Sequence, residues 1–461
     1  MQMLARQVLR LSLIGYVVVH YIWLFFPDGP YFANLLALFG FVLIVSLFLT
    51  QSVSQLLLPM GLIGLSLLIW AVSRPSLLVL RDGLNEMADL LPIVLIAPLL
   101  SWVFQHRPYI QALLARMKFF LKSPLHLFLL ITFFSFFSSF FMILAGMVMV
   151  FALFHGNRKW EPAEDWDRFV STASLRGFTI ASFSSFFIPS FIYSVQGLGA
   201  ELWRTLFLGM GLSAAAFILN GCIFFLEHRR SRLELPVMDM SGETSPRKQL
   251  WEFFILIAFT VCTTIAVIQF SDINILLFLP PFIVLLNLLY FTWHRDLSVL
   301  RNRGRDFIDR LPSMGKEVLL VMAIGLLAAA VRESGWGEWA FKLLMQEAEV
   351  IHLSVYIVFS LVIVLLGFLG LPPIPGIVLV TGILPAVPAG ISPELLALSL
   401  IAGVAATHTL APVTVAQLVL SNLNGHPTWQ TGFRWNWLYG VLVICVAQIY
   451  ISFLNMALYR L

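Results

Sequence analysis

Charge is what this 461-residue chain has least of: only 11% of its residues are Asp, Glu, Lys or Arg, against 60% hydrophobic ones. A water-soluble fold of this size would have no surface to solvate, so that class is excluded. Cysteine is scarce too. Cys222, Cys262 and Cys445 each sit in an apolar run without C-x-x-C spacing, which argues against a disulfide framework or a zinc site. The patterns G-x-x-x-x-G-K-[ST], H-E-x-x-H and G-x-S-x-G are missing, so neither ATP hydrolysis nor intramembrane hydrolysis is indicated, and the chain reads as something other than an enzyme. No Asp or Glu is expected in the middle of a span, which tilts against coupling through a buried carboxylate. The formal net charge of +4 gathers in a few loops rather than on a face able to track phosphates, so nucleic acid is not an expected partner.

What the chain has is apolar runs of membrane-crossing length from end to end. Confident spans cover about 8–26, 31–50, 54–72, 88–105, 173–196, 202–226, 251–269, 274–293, 317–331, 395–423 and 434–458. The first follows Arg6 and Arg10 like a secretory signal, but Phe25, Phe26 and Pro27 stand where a small-residue cleavage site belongs. Residues 1–30 therefore read as an N-terminal transmembrane helix, and the lipid bilayer as the first partner.

Residues 125–154 and 351–388 are each too long for one crossing and are broken near the middle. Basic loops stay cytoplasmic. The loops with Arg107, Arg116, Lys118 and Lys122, with Arg229, Arg230, Arg232, Arg247 and Lys248, and with Arg295 to Lys316 all qualify, while Glu333, Glu338, Glu347 and Glu349 mark an outer loop. That assignment makes both long regions re-entrant hairpins, with tips at Ser135–Ser139 and at Gly370–Gly376. The expected fold is an all-α polytopic membrane protein with about eleven transmembrane helices, two re-entrant hairpins and two broken helices. Its segments are a first inverted repeat (31–226), a cytoplasmic connector (227–250) and a second inverted repeat (251–461), with a cytoplasmic N-terminus in a cell (inner) membrane. Inverted repeats are a feature of secondary transporters.

Ser174 to Gly199 and Ser399 to Gly425 read as variants of one sentence. Ala181-Ser182-Phe183-Ser184 matches Ala406-Thr407-His408-Thr409, and Pro189 matches Pro412 after a two-residue gap. Proline removes a helix hydrogen bond and frees the carbonyl four residues earlier. Hydroxyls of Ser182, Ser184, Ser185, Thr407, Thr409 and Thr414 can join such carbonyls as hard oxygen ligands. Ser182, Ser184, Thr407 and Thr409 form the candidate Na⁺ set, the one cofactor considered. The competing reading is a proline kink whose hydroxyls bond their own backbone. His408 is the titratable group placed near mid-span, suited to a substrate hydrogen bond or to H⁺ coupling, or to simple packing. Arg176 can grip a carboxylate or phosphate, or snorkel to the interface. Gln196, Asn220, Gln417, Asn422 and Asn424 either glue helices or line a site.

On this architecture, over nearly its full length, the chain resembles the ion transporter superfamily of secondary carriers, which includes the divalent anion:sodium symporters. The resemblance implies substrate and Na⁺ held between hairpin tips and helix breaks. By position the site is then Ser135, Ser138 and Ser139 at one tip, Pro373 and Pro375 within Gly370–Gly376 at the other, and Thr179–Pro189 with Ala406–Thr414 at the breaks. The symporters carry Ser-Asn-Thr at each tip, and neither tip here does. The resemblance also implies a scaffold that dimerises. The expected function is transport of a small anionic metabolite, coupled to Na⁺ or H⁺ by alternating access. The rival readings are a membrane-embedded enzyme or lipid-handling protein, and a non-transporting membrane scaffold.

Overall fold

The computed structural model describes residues 2–26, 30–73, 76, 78–109, 112–113, 123–155, 163–228, 247–271, 273–350, 353–384, 387 and 390–458. Arg116, Lys118, Lys122, Arg229, Arg230, Arg232 and most of the 227–250 connector lie outside them. Every regular element among the described residues is helical. The first part of the chain gives α1 (Gln2–Phe25), α2 (Pro30–Thr50), α3 (Val53–Ser73), α4 (Leu78–Asn85), α5 (Leu90–Ile96), α6 (Leu100–Phe104), α7 (Pro124–Met142), α8 (Leu144–His155), α9 (Ala163–Ala181), α10 (Pro189–Gly197) and α11 (Leu202–His228). The remainder gives α12 (Arg247–Phe270), α13 (Ile275–Trp293), α14 (Leu297–Arg310), α15 (Gly315–Glu333), α16 (Trp336–Val350), α17 (Val355–Phe368), α18 (Pro373–Ile383), α19 (Pro393–Leu410), α20 (Val415–Asn424) and α21 (Trp435–Leu458).

Eleven helical segments among the described residues are long and apolar enough to cross a membrane, as a multi-pass membrane protein requires. Ten coincide with expected spans. The eleventh is α7, whose 19 residues cover the expected first arm, the whole expected tip Ser135–Ser139 and the start of the second arm. The span 173–196, expected to be a broken helix, is two helices, α9 and α10, and is not among the eleven.

The chain forms two compact units, each drawing on both halves of the sequence. The first comprises residues 1–96, 280–352 and 374–387. In it α1 packs on α2, while α3 and α4 lie along α15. Small residues allow that approach: a Cβ on Gly325 would come 2.8 Å from the Gly83 carbonyl. Tyr16 donates to the Leu84 carbonyl at 2.6 Å, and Arg332 grips Glu86 with two bonds of 2.7 and 2.9 Å. Glu86 and Asp89 lie inside the candidate span Leu78–Phe104, contrary to the expectation of acid-free spans. They occupy the turn between α4 and α5, where Arg332 meets one and buried His20 stands 3.2 Å from the other.

The second unit comprises 97–279, 353–373 and 388–461. Two of its helices, α7 and α19, start on Ser-Pro pairs. Ser123 caps α7 by accepting from the His126 amide, Ser392 caps α19 by accepting from the Leu395 amide, and each proline fills the first helical position, where no amide donor is needed. α9 lies along α7 and α8, α19 lies along α17 and α21, and α9 touches α19.

Candidate functional site

Both matched prolines stand at helix interruptions. α9 ends at Ala181, residues 182–188 run as buried turns, and Pro189 opens α10. The freed backbone is answered by hydroxyls. Ser182 donates to the Phe178 carbonyl at 3.2 Å, and Ser213 donates to the Ile180 carbonyl at 3.1 Å while lying 3.0 Å from Ser184 Oγ. Ser185 donates to the Phe140 carbonyl at 2.6 Å and accepts from the Phe187 amide at 3.2 Å. Gly209 leaves room for the Phe183 carbonyl, where a Cβ would overlap it.

The second interruption separates α19, ending at Leu410, from α20, which begins after Thr414. Thr414 and Gln417 form a reciprocal capping box. Gln417 also closes the gap itself, since its Nε2 donates to the carbonyls of His408 at 2.9 Å and Ala411 at 3.0 Å. One buried amide therefore replaces bonds the broken helix loses. The two breaks also differ in exposure: Pro189 is buried, whereas Pro412 and Val413 are exposed.

A pair of serine clamps locks each interrupted helix to its neighbour. Ser135 on α7 donates to the Ser174 carbonyl on α9 at 2.6 Å, and Ser360 on α17 donates to the Ser399 carbonyl on α19 at 2.7 Å. Both clamps join residues 39 positions apart. Glycine faces the partner helix beside each one. A Cβ on Gly177 would stand 2.5 Å from the Thr132 carbonyl, and one on Gly403 would stand 2.6 Å from the Ser360 carbonyl. Gln448 on α21 adds a 2.8 Å bond to Ser360 Oγ.

Arg176 does not snorkel. It is 1% exposed, within α9, and its guanidinium donates to Asn436 Oδ1 at 2.9 Å, Asn220 Oδ1 at 3.2 Å and the Trp435 carbonyl at 3.3 Å. The Tyr439 ring lies 5.0 Å from it. Asn220 in turn donates to Thr132 Oγ1 at 3.1 Å, and Asn436 to the Thr431 and Gly432 carbonyls. The cation joins α7, α9, α11 and α21 through neutral oxygens that its planar fork fits.

The first run expected at a tip is helical, while the second, Gly370–Gly376, overlaps a break between helices. Ser135, Ser138 and Ser139 are in the body of α7, and the chain breaks at Ile143 (φ 53°), because the Phe- and Ser-rich run carries no residue that stops a helix. Ser138 and Ser139 are buried, and their hydroxyls have no partner among the described residues. The second interruption falls at 369–372, with Gly370 at φ 87°, while Pro373 and Pro375 belong to the first turn of α18, where missing amide protons cost nothing.

The four oxygens of the candidate Na⁺ set do not bond one another among the described residues. Thr407 donates to the Gly403 carbonyl at 2.8 Å and Thr409 to the Ala406 carbonyl at 2.9 Å, as Ser182 does within its own helix. His408 meets α9 directly, its ring packing 4.8 Å from that of Phe178. Its Nδ1 is buried without a partner among the described residues.

Sequence reasoning missed a second polar cluster. Asp167 near the start of α9 takes His155 Nε2 at 2.9 Å on one carboxylate oxygen and His426 Nε2 at 3.3 Å on the other. Asn424 beside it donates to Ser171 Oγ at 2.9 Å and Thr431 Oγ1 at 3.2 Å. The cluster pins the end of α20 to the start of α9. Its sequence signal was faint, since the three ionisable residues lie in three separate segments. No protein-family model matches the chain, and no curated protein does.

Proposed function

We propose that this chain is a secondary active transporter, a carrier rather than an enzyme, for a small anionic metabolite, driven by Na⁺ or H⁺ through alternating access. The observation that carries the reading is the doubled arrangement in one compact unit: two helices interrupted beside a proline, each clamped through a serine 39 residues upstream. In lipid, irregular backbone persists only where it is buried in protein or lines a water-filled cavity, and interrupted helices deep in a bundle are where carriers hold their cargo. The paired arrangement supports an inverted repeat of the kind found in the ion transporter superfamily. His408, whose Nδ1 has no partner among the described residues, and the exposed lip Pro412–Val413 are the groups best placed to meet cargo. Oxygen atoms of Ser182, Ser184, Thr407 and Thr409 keep lone pairs for a coupling cation. Arg176 serves as the anchor that holds α9 in place. A cell inner membrane with the N-terminus in the cytoplasm completes the proposal.

The test is uptake into proteoliposomes across a panel of organic anions, with the Na⁺ gradient and the pH gradient imposed separately. The proposal expects concentrative uptake of at least one anion under one gradient. Absence of gradient-driven flux across the panel, by protein whose fold is intact, would contradict it.

A further inference from the structure

We propose that α14 is an interfacial helix that holds anionic phospholipid headgroups on Arg301 and Arg305. The inference needs only helices of membrane-crossing length and stands apart from the transport reading.

The position of α14 follows from length. The helical segment Leu297–Glu333 has 37 residues, which at 1.5 Å each is about 55 Å, nearly twice a hydrocarbon core of about 30 Å. α15 alone, with 19 residues, reaches across. α14 is therefore left at the boundary. Trp293 marks the same boundary at the end of α13, 86% exposed, in the position of an aromatic belt. The chain then turns at Arg295, a non-glycine residue with φ 58°.

The sequence of α14 suits that place. None of its residues is buried. At about 100° per residue, Leu297, Leu300, Phe307 and Ile308 share one arc, with Gly304 in the middle. A Cβ on Gly304 would meet nothing within 4 Å. Arg301 and Arg305 border the arc on one side, Arg303 and Arg310 on the other, and Asp306 and Asp309 fall opposite. Arginines at the edge of an apolar face reach phosphates while the face sinks into acyl chains, and acids at the far pole stay in water.

Two of these groups already have partners. Arg303 lies 5.7 Å from the Phe291 ring, and Asp309 lies 3.1 Å from Arg10. Arg301 and Arg305 are exposed and form no ion pair among the described residues. Their forks match phosphate oxygens. A lipid surface, rather than an acidic soluble protein, is the fitting occupant because the same side carries both the apolar arc and the free cations.

The full chain is reconstituted in vesicles of phosphatidylcholine alone and in phosphatidylcholine mixed with phosphatidylglycerol. Hydrogen–deuterium exchange of residues 297–310 is read in each, and native mass spectrometry gives the ratio of the two bound lipids. Exchange is expected to slow when phosphatidylglycerol is present, and high salt should remove the slowing. Arg301→Gln and Arg305→Gln should each lower the preference for phosphatidylglycerol about fivefold, while Asp306→Asn should keep it. Should the arginine variants alter exchange throughout the chain, the salt series on the unsubstituted protein decides. Equal exchange and equal lipid ratios in both vesicles would overturn the proposal, as would protection that appears only on adding an acidic soluble protein.

Discussion

Ser360 donates its hydroxyl to the carbonyl of Ser399, 39 residues downstream, and fastens α17 to the first part of an interrupted helix. Ser135 does the same to Ser174 over the same interval. Both are buried, so neither bond competes with water. Ser135→Ala or Ser360→Ala should lower the unfolding free energy by about 1 kcal/mol each, read from thermal unfolding in one detergent. Stability unchanged in both variants would remove the clamps from the account.

The glycines beside the clamps should be less forgiving. Gly177→Ala and Gly403→Ala push a methyl group onto a partner backbone carbonyl at 2.5 and 2.6 Å, which only helix separation can relieve. Each should cost roughly 1–3 kcal/mol in the same unfolding measurement. Gly61→Ala, where a Cβ meets nothing within 4 Å, should cost nothing or stabilise.

Arg176 is the hub of a buried network, and its removal leaves Asn220 and Asn436 oxygens unanswered. Arg176→Gln should destabilise by roughly 2–3 kcal/mol. Arg176→Lys should recover only part of that, because an ammonium cannot reproduce the fork that reaches Asn436, Asn220 and Trp435 together. Full recovery by lysine would show that charge alone matters.

Ile143 holds a backbone conformation, φ 53° and ψ −128°, that suits glycine. Ile143→Gly should raise stability by about 1 kcal/mol despite losing a half-buried side chain, while Ile143→Val should not.

These residues also show where sequence reasoning reached and where it stopped. Long apolar runs and the prolines at 189 and 412 were legible because length and a missing amide act locally. The break expected at Ser135–Ser139 is absent because serine in an apolar helix need not open it: Ser135 bonds a neighbouring helix and α7 continues to Met142. Nothing in the residue type of Ile143 announces a break. Arg176 was read as a ligand or a snorkelling cation because Asn220 and Asn436 are 44 and 260 residues away, and only the fold brings them to it. The cluster of Asp167, His155 and His426 was invisible for the same reason.

The most direct test of the central claim, that the two helix interruptions hold the cargo, compares gradient-driven anion uptake by the unsubstituted chain with uptake by Thr409→Ala and Pro412→Ala, using Gly61→Ala, where a Cβ meets nothing within 4 Å, as the control. The account predicts that the first two lose most of the flux or change its dependence on the driving gradient, while the control retains it. Equal flux in all four proteins would contradict the account.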